Sequence, residues 1–474
     1  MSVISPRRHP PSVLAQQIQT SFPGLLTFQP PRQTLGEELR ALLRPLARSL
    51  RRRWGFSAQH GVRAQLAELR RANQDLTVAV QQLMRQAAPP SAGIAGQMRQ
   101  HLVVVSPWRT RCGIAEYSRH LVDALSRQAA WRISVLHDDR PTLPQIAPMG
   151  EVREAPAFSL GNAPSLGRLA LAIAAEQPDC VLIQHHGALI PWGELTDLLR
   201  HPLMDGRRVV LTMHNTADIR RLNANQQRRL QAALRDVELL IVHNSRDIGL
   251  LNAMGLSHVR RLAHGCPAGG DLPSVRKLLP HESPVIGSAG FLLPHKGAQE
   301  LIRAAAALRG TWPTLRLRLA MSHHGSKLSE TEFRTCERLA RRLGFADHIE
   351  WHTGFLPEEQ ALALLRGCDL LVLPYRATEE SASGAARMAV ASGVPTLVSD
   401  LPIFDDLGDA VARANPITPG GLPGQIAELL HAPQRRVQLQ ARARSWLAAQ
   451  DWELVAEILT SAIAGMPARR GRGA

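Results

Sequence analysis

Lysine is nearly missing from this sequence: of 56 basic residues only Lys277, Lys296 and Lys327 are not arginine. Aromatic residues make up 4% of the chain, too sparse to interleave with basic groups as a stacking platform for single-stranded nucleic acid. The five cysteines (Cys112, Cys180, Cys266, Cys336, Cys368) are scattered, odd in number and never spaced CxxC. That pattern argues against a disulfide framework or a zinc knuckle and fits a reducing cytoplasm. No uninterrupted apolar run reaches the ~18 residues needed to cross a bilayer. The opening MSVISPRRHPPSVLAQQ has no apolar stretch of signal-peptide length, so export is not expected. HExxH is absent and the histidines follow no ligand spacing, so no metal site is expected. What is present is ample for globular structure. The 474 residues are 45% hydrophobic and 20% charged, enough for two large units and an appendage at roughly 100–200 residues per domain.

The net charge of +16 is unevenly spread. Residues 1–100 carry 14 Arg and no Lys against four acids, Glu37, Glu38, Glu68 and Asp75. The rest of the chain is nearly neutral, and three of its excess charges sit in the tail at Arg469, Arg470 and Arg472. Basicity is therefore a property of an arm over 1–59, and not of the folded body. Arg48, Arg51, Arg52 and Arg53 beside Trp54 and Phe56 suit either anionic lipid headgroups, in a peripheral membrane contact, or plain solvation. Nucleic acid is not an expected partner.

A heptad run occupies 60–86: Val62, Leu66, Leu69, Asn73, Leu76, Val80 and Leu83. One Asn at an a position fixes register in two-stranded coiled coils, so this segment predicts a homodimer through 62–83, or else a helix packed on the body. AAPPSAGIAG within 87–97 reads as a linker. From residue 98 onward, short β-rich runs alternate with helical stretches: 101–107, 131–138, 179–186, 207–214 and 239–244. After a Pro/Gly-rich break the pattern restarts at 284–291, 315–322, 348–355, 369–375 and 395–400. Such alternation is the signature of βαβ units. It predicts two consecutive doubly wound Rossmann-like domains, over 98–270 and 283–435, whose strand ends meet at a ligand-binding mouth.

Four groups of residues close predicted strands. Gly113, in Arg111–Ser118, lets backbone amides approach a phosphate at a helix start, or simply makes a tight turn. His214 ends RRVVLTMH and either contacts a ligand hydroxyl or phosphate or is a strand-end histidine with internal partners; His185 and His186 are similar but less well placed. Lys296 stands out because arginine is the default base here. An ammonium in that loop can neutralise a leaving pyrophosphate, unless it is merely solvated. Finally, Glu380-Ser381-Ala382-Ser383-Gly384 opens a short helix. Its first amides, with Ser381 and Ser383, suit a phosphate, while Glu380 suits neighbouring hydroxyls or only complements the helix dipole.

The motifs GFLLPHKGAQELIRA, HTGFLPEEQALALLRGCDLLVLPY and EESASGAARMAVASGVPTLVSD, with GIAEYSRHLVDAL and VVLTMHN earlier, resemble GT-B glycosyltransferases of family 4. The resemblance spans roughly residues 100–460. It implies sugar transfer from a nucleotide-sugar donor, with retention and without cofactor or bound metal, to a saccharide or lipid-linked acceptor. It also implies an acceptor domain over 98–270, a donor domain over 283–435 and a closing helix over 436–466 that crosses back, ahead of a basic tail at 467–474. Catalytic roles would fall to Glu380, His214 and Lys296, and donor contacts to Gly113, Lys296, Ser381, Ser383, Gly384 and Met388. Two positions depart from the family pattern. Its second glutamate, which holds the ribose diol, is Met388 here, and the basic residue five before the lysine is Phe291. The motifs resemble a bacterial surface-polysaccharide branch. The alternative is a catalytically degenerate dimeric scaffold in a polysaccharide-assembly complex.

Overall fold

The computed structural model describes residues 99–140, 151–159, 166–267, 273–278, 282–415 and 420–466. The arm, the heptad segment, the linker and the tail lie outside the described residues. Two parallel sheets organise the rest. The first holds β1 (Gln100–Val105), β2 (Trp131–Asp138), β3 (Val152–Phe158), β4 (Cys180–His185), β5 (Arg208–Met213), β6 (Leu239–Val242) and β7 (Val259–Arg261) in the order β3-β2-β1-β4-β5-β6-β7. The second holds β8 (Val285–Phe291), β9 (Arg316–Ser322), β10 (Ile349–Trp351), β11 (Leu370–Leu373), β12 (Thr396–Ser399) and β13 (Ala412–Ala414) in the order β10-β9-β8-β11-β12-β13. The central strands β4 and β11 are buried along their whole length because helices cover both faces.

The covering helices of the first lobe are α1 (Gly113–Ser126), α2 (Leu166–Glu176), α3 (Trp192–Leu199), α4 (Ala224–Arg235) and α5 (Ser245–Ala253). Those of the second are α6 (Ala298–Ala307), α7 (Lys327–Arg342), α8 (Glu358–Arg366), α9 (Gly384–Ala391), α10 (Gly421–His431) and α11 (Pro433–Leu447); the last helix is α12 (Trp452–Ala464). On α1, Tyr117, Leu121, Val122 and Leu125 recur at helical spacing and are all buried. This stripe packs on the sheet face formed by Leu102, Val104, Leu182 and Val210.

The segment expected as one returning helix, 436–466, is two helices. Its first part belongs to α11, which buries Leu439, Ala443 and Trp446 in the second lobe. The chain then breaks, and Asp451 caps α12 by accepting from the Glu453 amide. Only α12 docks on the first lobe, through Trp452, Val455, Ala456, Leu459 and Ile463. Val455, Leu459 and Ile463 each contribute ~1.5–3 kcal/mol when fully buried. Trp131 Nε1 donates to Thr460 Oγ1 at 2.8 Å beside them. Strands β3, β7 and β13 were not legible as alternating runs, and all three lie at sheet edges. Pro156 within β3 is tolerated for that reason.

In both sheets the strand order reverses at one point, between β1 and β4 and between β8 and β11. A crevice opens outside the carboxyl ends of the strands at such points. The loops after β1, β4, β8 and β11 flank these points.

Candidate active site

Gly290, near the end of β8, has φ +126°, and a Cβ there would lie 3.1 Å from Ala385 Cβ. The strand end thus abuts the start of α9. The chain then makes a short turn, Pro294–Lys296, ending on Gly297 with φ +76°. A Cβ at Gly297 would collide with the Pro374 carbonyl, so only glycine lets this loop reach the end of β11. The turn buries Lys296, whereas Lys277 and Lys327 are exposed.

Lys296 Nζ donates to Glu380 Oε2 at 2.9 Å and stands 4.3 Å above the Tyr375 ring. His295 Nε2 lies 3.2 Å from the other carboxylate oxygen. Burial alone would raise the Glu380 pKa; the His295 hydrogen bond and the Lys296 charge overcome it and hold the carboxyl down at about 2. Burial likewise opposes the charged ammonium, but Tyr375 and Glu380 raise the Lys296 pKa above its ordinary value. The result is a fixed, half-open ion pair at the mouth.

Tyr375 Oη lies 3.0 Å from Ser383 Oγ, and Ser383 caps α9 by accepting from the Ala386 amide at 3.2 Å. Ser383 is buried and its hydroxyl is engaged inside the lobe, which sets it apart from the expectation that it faces a phosphate. The Gly384 and Ala385 amides precede that cap, and a Cβ at Gly384 would meet nothing within 4 Å. Ser381 Oγ is buried without a partner, while its carbonyl accepts from Asn244 Nδ2 of the first lobe at 2.8 Å. Met388 is half-buried against the apolar cluster of the second lobe. Phe291 stacks with Phe355 at 6.3 Å and meets His324 edge-on at 5.1 Å.

On the first lobe, Gly113 begins α1 in open space, and its N-cap Cys112 supplies no capping side chain. His214 fits the second of its two readings, a strand-end histidine with internal partners. Its Nε2 is 2.8 Å from Gln184 Oε1 and its Nδ1 is 3.3 Å from His243 Nε2. Both ring nitrogens have partners inside the lobe. Burial drives its pKa well below the ordinary value, with His243 adding to the effect. The ring packs edge-on against Tyr117, 4.8 Å away, so His214 supports the wall rather than offering a free nitrogen.

Sequence reasoning missed three participants. Arg387 is 1% exposed, pairs with Asp406, and donates to the Ser383 carbonyl at 3.1 Å and the His264 carbonyl at 3.2 Å. It ties the start of α9 to the segment that leaves the first lobe. Tyr117 and Tyr375 are the only tyrosines in the chain, and both are buried at the mouth. That scarcity was a usable signal. Across the gap, His120 Nε2 lies 2.7 Å from Glu358 Oε2, and Arg221 Nη2 donates to Glu379 Oε2 at 2.6 Å. Among the described residues no three His, Cys, Asp or Glu side chains group as a metal site. No helix among them is long and apolar enough to cross a membrane.

Residues 274–446 match the family model described as Glycosyl transferases group 1. A D-inositol 3-phosphate glycosyltransferase of Corynebacterium jeikeium is 27% identical over 198 residues, 41% of this chain and 46% of that protein. The chain thus spans about half the length of the curated relatives it matches. Sucrose-phosphate synthase from Thermosynechococcus elongatus shares the fold with a TM-score of 0.61 at 17% identity, covering 77% of this chain and 98% of the other. HepE from Anabaena, solved with UDP, gives 0.56 at 14% identity over 78% of this chain and all of its own. Both lobes therefore carry the two-sheet GT-B fold, and the second lobe carries the similarity to group 1 glycosyl transferases.

Proposed function

We propose that this protein is a glycosyltransferase that moves a sugar from a nucleotide-sugar donor to an acceptor hydroxyl. The observation that carries this reading is the pair of buried Lys296 and half-buried Glu380 beside the open first turn of α9, at the switch point of the sheet that matches group 1 transferases. The diphosphate would lie between Lys296 and the Gly384 and Ala385 amides, with Gly113 approaching from the opposite lobe. Fixed ammonium and amide dipoles need no reorganisation as negative charge builds on the leaving diphosphate. Glu380, ionised at any physiological pH, would accept hydrogen bonds from the sugar hydroxyls, and Ser381 Oγ is free to join it. His214 would act by positioning Tyr117. The nucleoside would meet Met388 as an apolar contact, since no carboxylate stands there to hold a ribose diol.

Retention of configuration, independence of metal, a cytoplasmic site of action and a role in surface-polysaccharide assembly belong to this proposal, on the family resemblance. A saccharide or lipid-linked acceptor fits it, and UDP, present in the HepE structure, is the first nucleotide to try. The protein would be incubated with a panel of nucleotide-sugars and acceptors, and released nucleoside diphosphate sought by mass spectrometry. Release that depends on an acceptor supports the reading. A second reading, a non-catalytic scaffold, is favoured by the uncharged Phe291 and Met388. Failure of every nucleotide to shift the melting temperature would select it.

A further inference from the structure

The loop after β4 lies at the first lobe's switch point, yet the donor reading leaves it without a task. His186 is half-buried there, and its Nδ1 accepts the Ala188 amide at 3.1 Å. That bond assigns the proton to Nε2, which has no partner among the described residues. Next to it, a Cβ on Gly187 would collide with Asp218 Oδ2 and come within 3.1 Å of Trp192 Nε1. The Asp218 carboxylate therefore sits directly over the Gly187 backbone. Its Oδ1 is buried with no hydrogen-bond partner, and so is Nε1 of Trp192, a residue only 5% exposed. A buried polar atom without a partner costs about 1–3 kcal/mol and calls for an explanation.

The surroundings define what could satisfy these groups. Burial lowers the His186 pKa, but Asp218 and, from the other lobe, Glu380 both act on it in the opposite direction. His186 is thus within electrostatic reach of carboxylates from both lobes, and Glu380 is the one assigned above to the donor sugar. An anion would be repelled from such a position. A hydroxyl can accept from an imidazole or indole N–H while donating to a carboxylate.

We infer that His186, Asp218 and Trp192, gathered around Gly187, form the acceptor subsite and take a neutral polyol, a sugar or cyclitol, through adjacent hydroxyls. The inference rests on the transferase reading. His186 and Asp218 contact the acceptor directly, and the Trp192 N–H closes the set from behind.

The test uses the full chain and two separate titrations. UDP binding is measured by calorimetry for the wild type and for His186→Ala, Asp218→Asn and Gly187→Ser, with melting curves as folding controls. Glucose and myo-inositol are then titrated, with and without saturating UDP, by ligand-observed NMR. UDP affinity is expected to stay within twofold, while polyol affinity falls at least tenfold in all three variants. Gly187→Ser displaces the Asp218 carboxylate without removing it, so it covers the case in which Asp218→Asn does not fold. Polyol binding within twofold of wild type in the folded variants overturns the subsite, as does a wild type that binds UDP but neither polyol. A wild type that binds a polyol but not UDP overturns the donor reading and leaves the subsite standing.

Discussion

Lys296 Nζ and Glu380 Oε2 lie 2.9 Å apart although 84 residues separate them in the chain. The loop after β8 and the loop after β11 supply one partner each, and the two strands are neighbours in the sheet. The pair is enclosed by Tyr375 beneath the ammonium and His295 beside the carboxylate.

Removing either charge should therefore damage turnover more than folding. Lys296→Ala and Glu380→Gln are each expected to lower the transfer rate by about 10- to 150-fold, the range for one lost charged hydrogen bond. Steady-state kinetics with melting curves would check this. Near-wild-type rates in both variants would remove the pair from the mechanism.

Tyr375→Phe separates two functions of one ring. It keeps the aromatic face below Lys296 and deletes the hydroxyl, with its contact to Ser383 Oγ and its influence on the Lys296 ammonium. A loss of about 0.5–1.5 kcal/mol in stability is expected. Tyr375→Leu should lose more, because the cation–π contact disappears as well. Equal denaturation midpoints for the two variants would contradict this division.

Arg387→Met should be among the most damaging substitutions. It strands Asp406 and frees the carbonyls of Ser383 and His264. Breaking a buried pair by removing one member costs about 3–5 kcal/mol. Urea unfolding would measure it, and a change below about 1 kcal/mol would refute the assignment.

Acid should unfold the protein from near neutrality. Burial lowers the His185 pKa to about 3 and, with Arg387 adding, that of His243 to about 4. Both stay neutral in the folded state, whereas the unfolded chain takes up protons below 6.5, the ordinary histidine value. Stability is thus complete above pH 6.5 and falls as pH drops toward 4, by about 1.4 kcal/mol per pH unit for each histidine. Glu380, held at about 2, adds a further loss only below 4.5. Denaturation midpoints between pH 8 and 4 would reveal the slope, and a flat profile across that interval would contradict the burial of these rings.

The βα alternation and the positions of Lys296, Glu380 and Gly384 were legible in the sequence for local reasons. Strands covered on both faces must be apolar, and a glycine or a lone lysine at a strand end stands out against its neighbours. The sequence by itself determined the fold class and which loops carry unusual chemistry. Tertiary structure alone decided what each group is bonded to. A histidine at a strand end looks the same whether its nitrogens are free, as His186 Nε2 is, or spent, as in His214 on Gln184 and His243. Arg387 reads as an ordinary helical arginine until Asp406 and the His264 carbonyl, from other segments, join the Ser383 carbonyl around it. The edge strands β3, β7 and β13 were missed because a strand paired on one side only is under weaker pressure to be apolar. Hydrogen bonds and ion pairs between distant segments leave no periodicity in the chain, so only the folded arrangement could assign them.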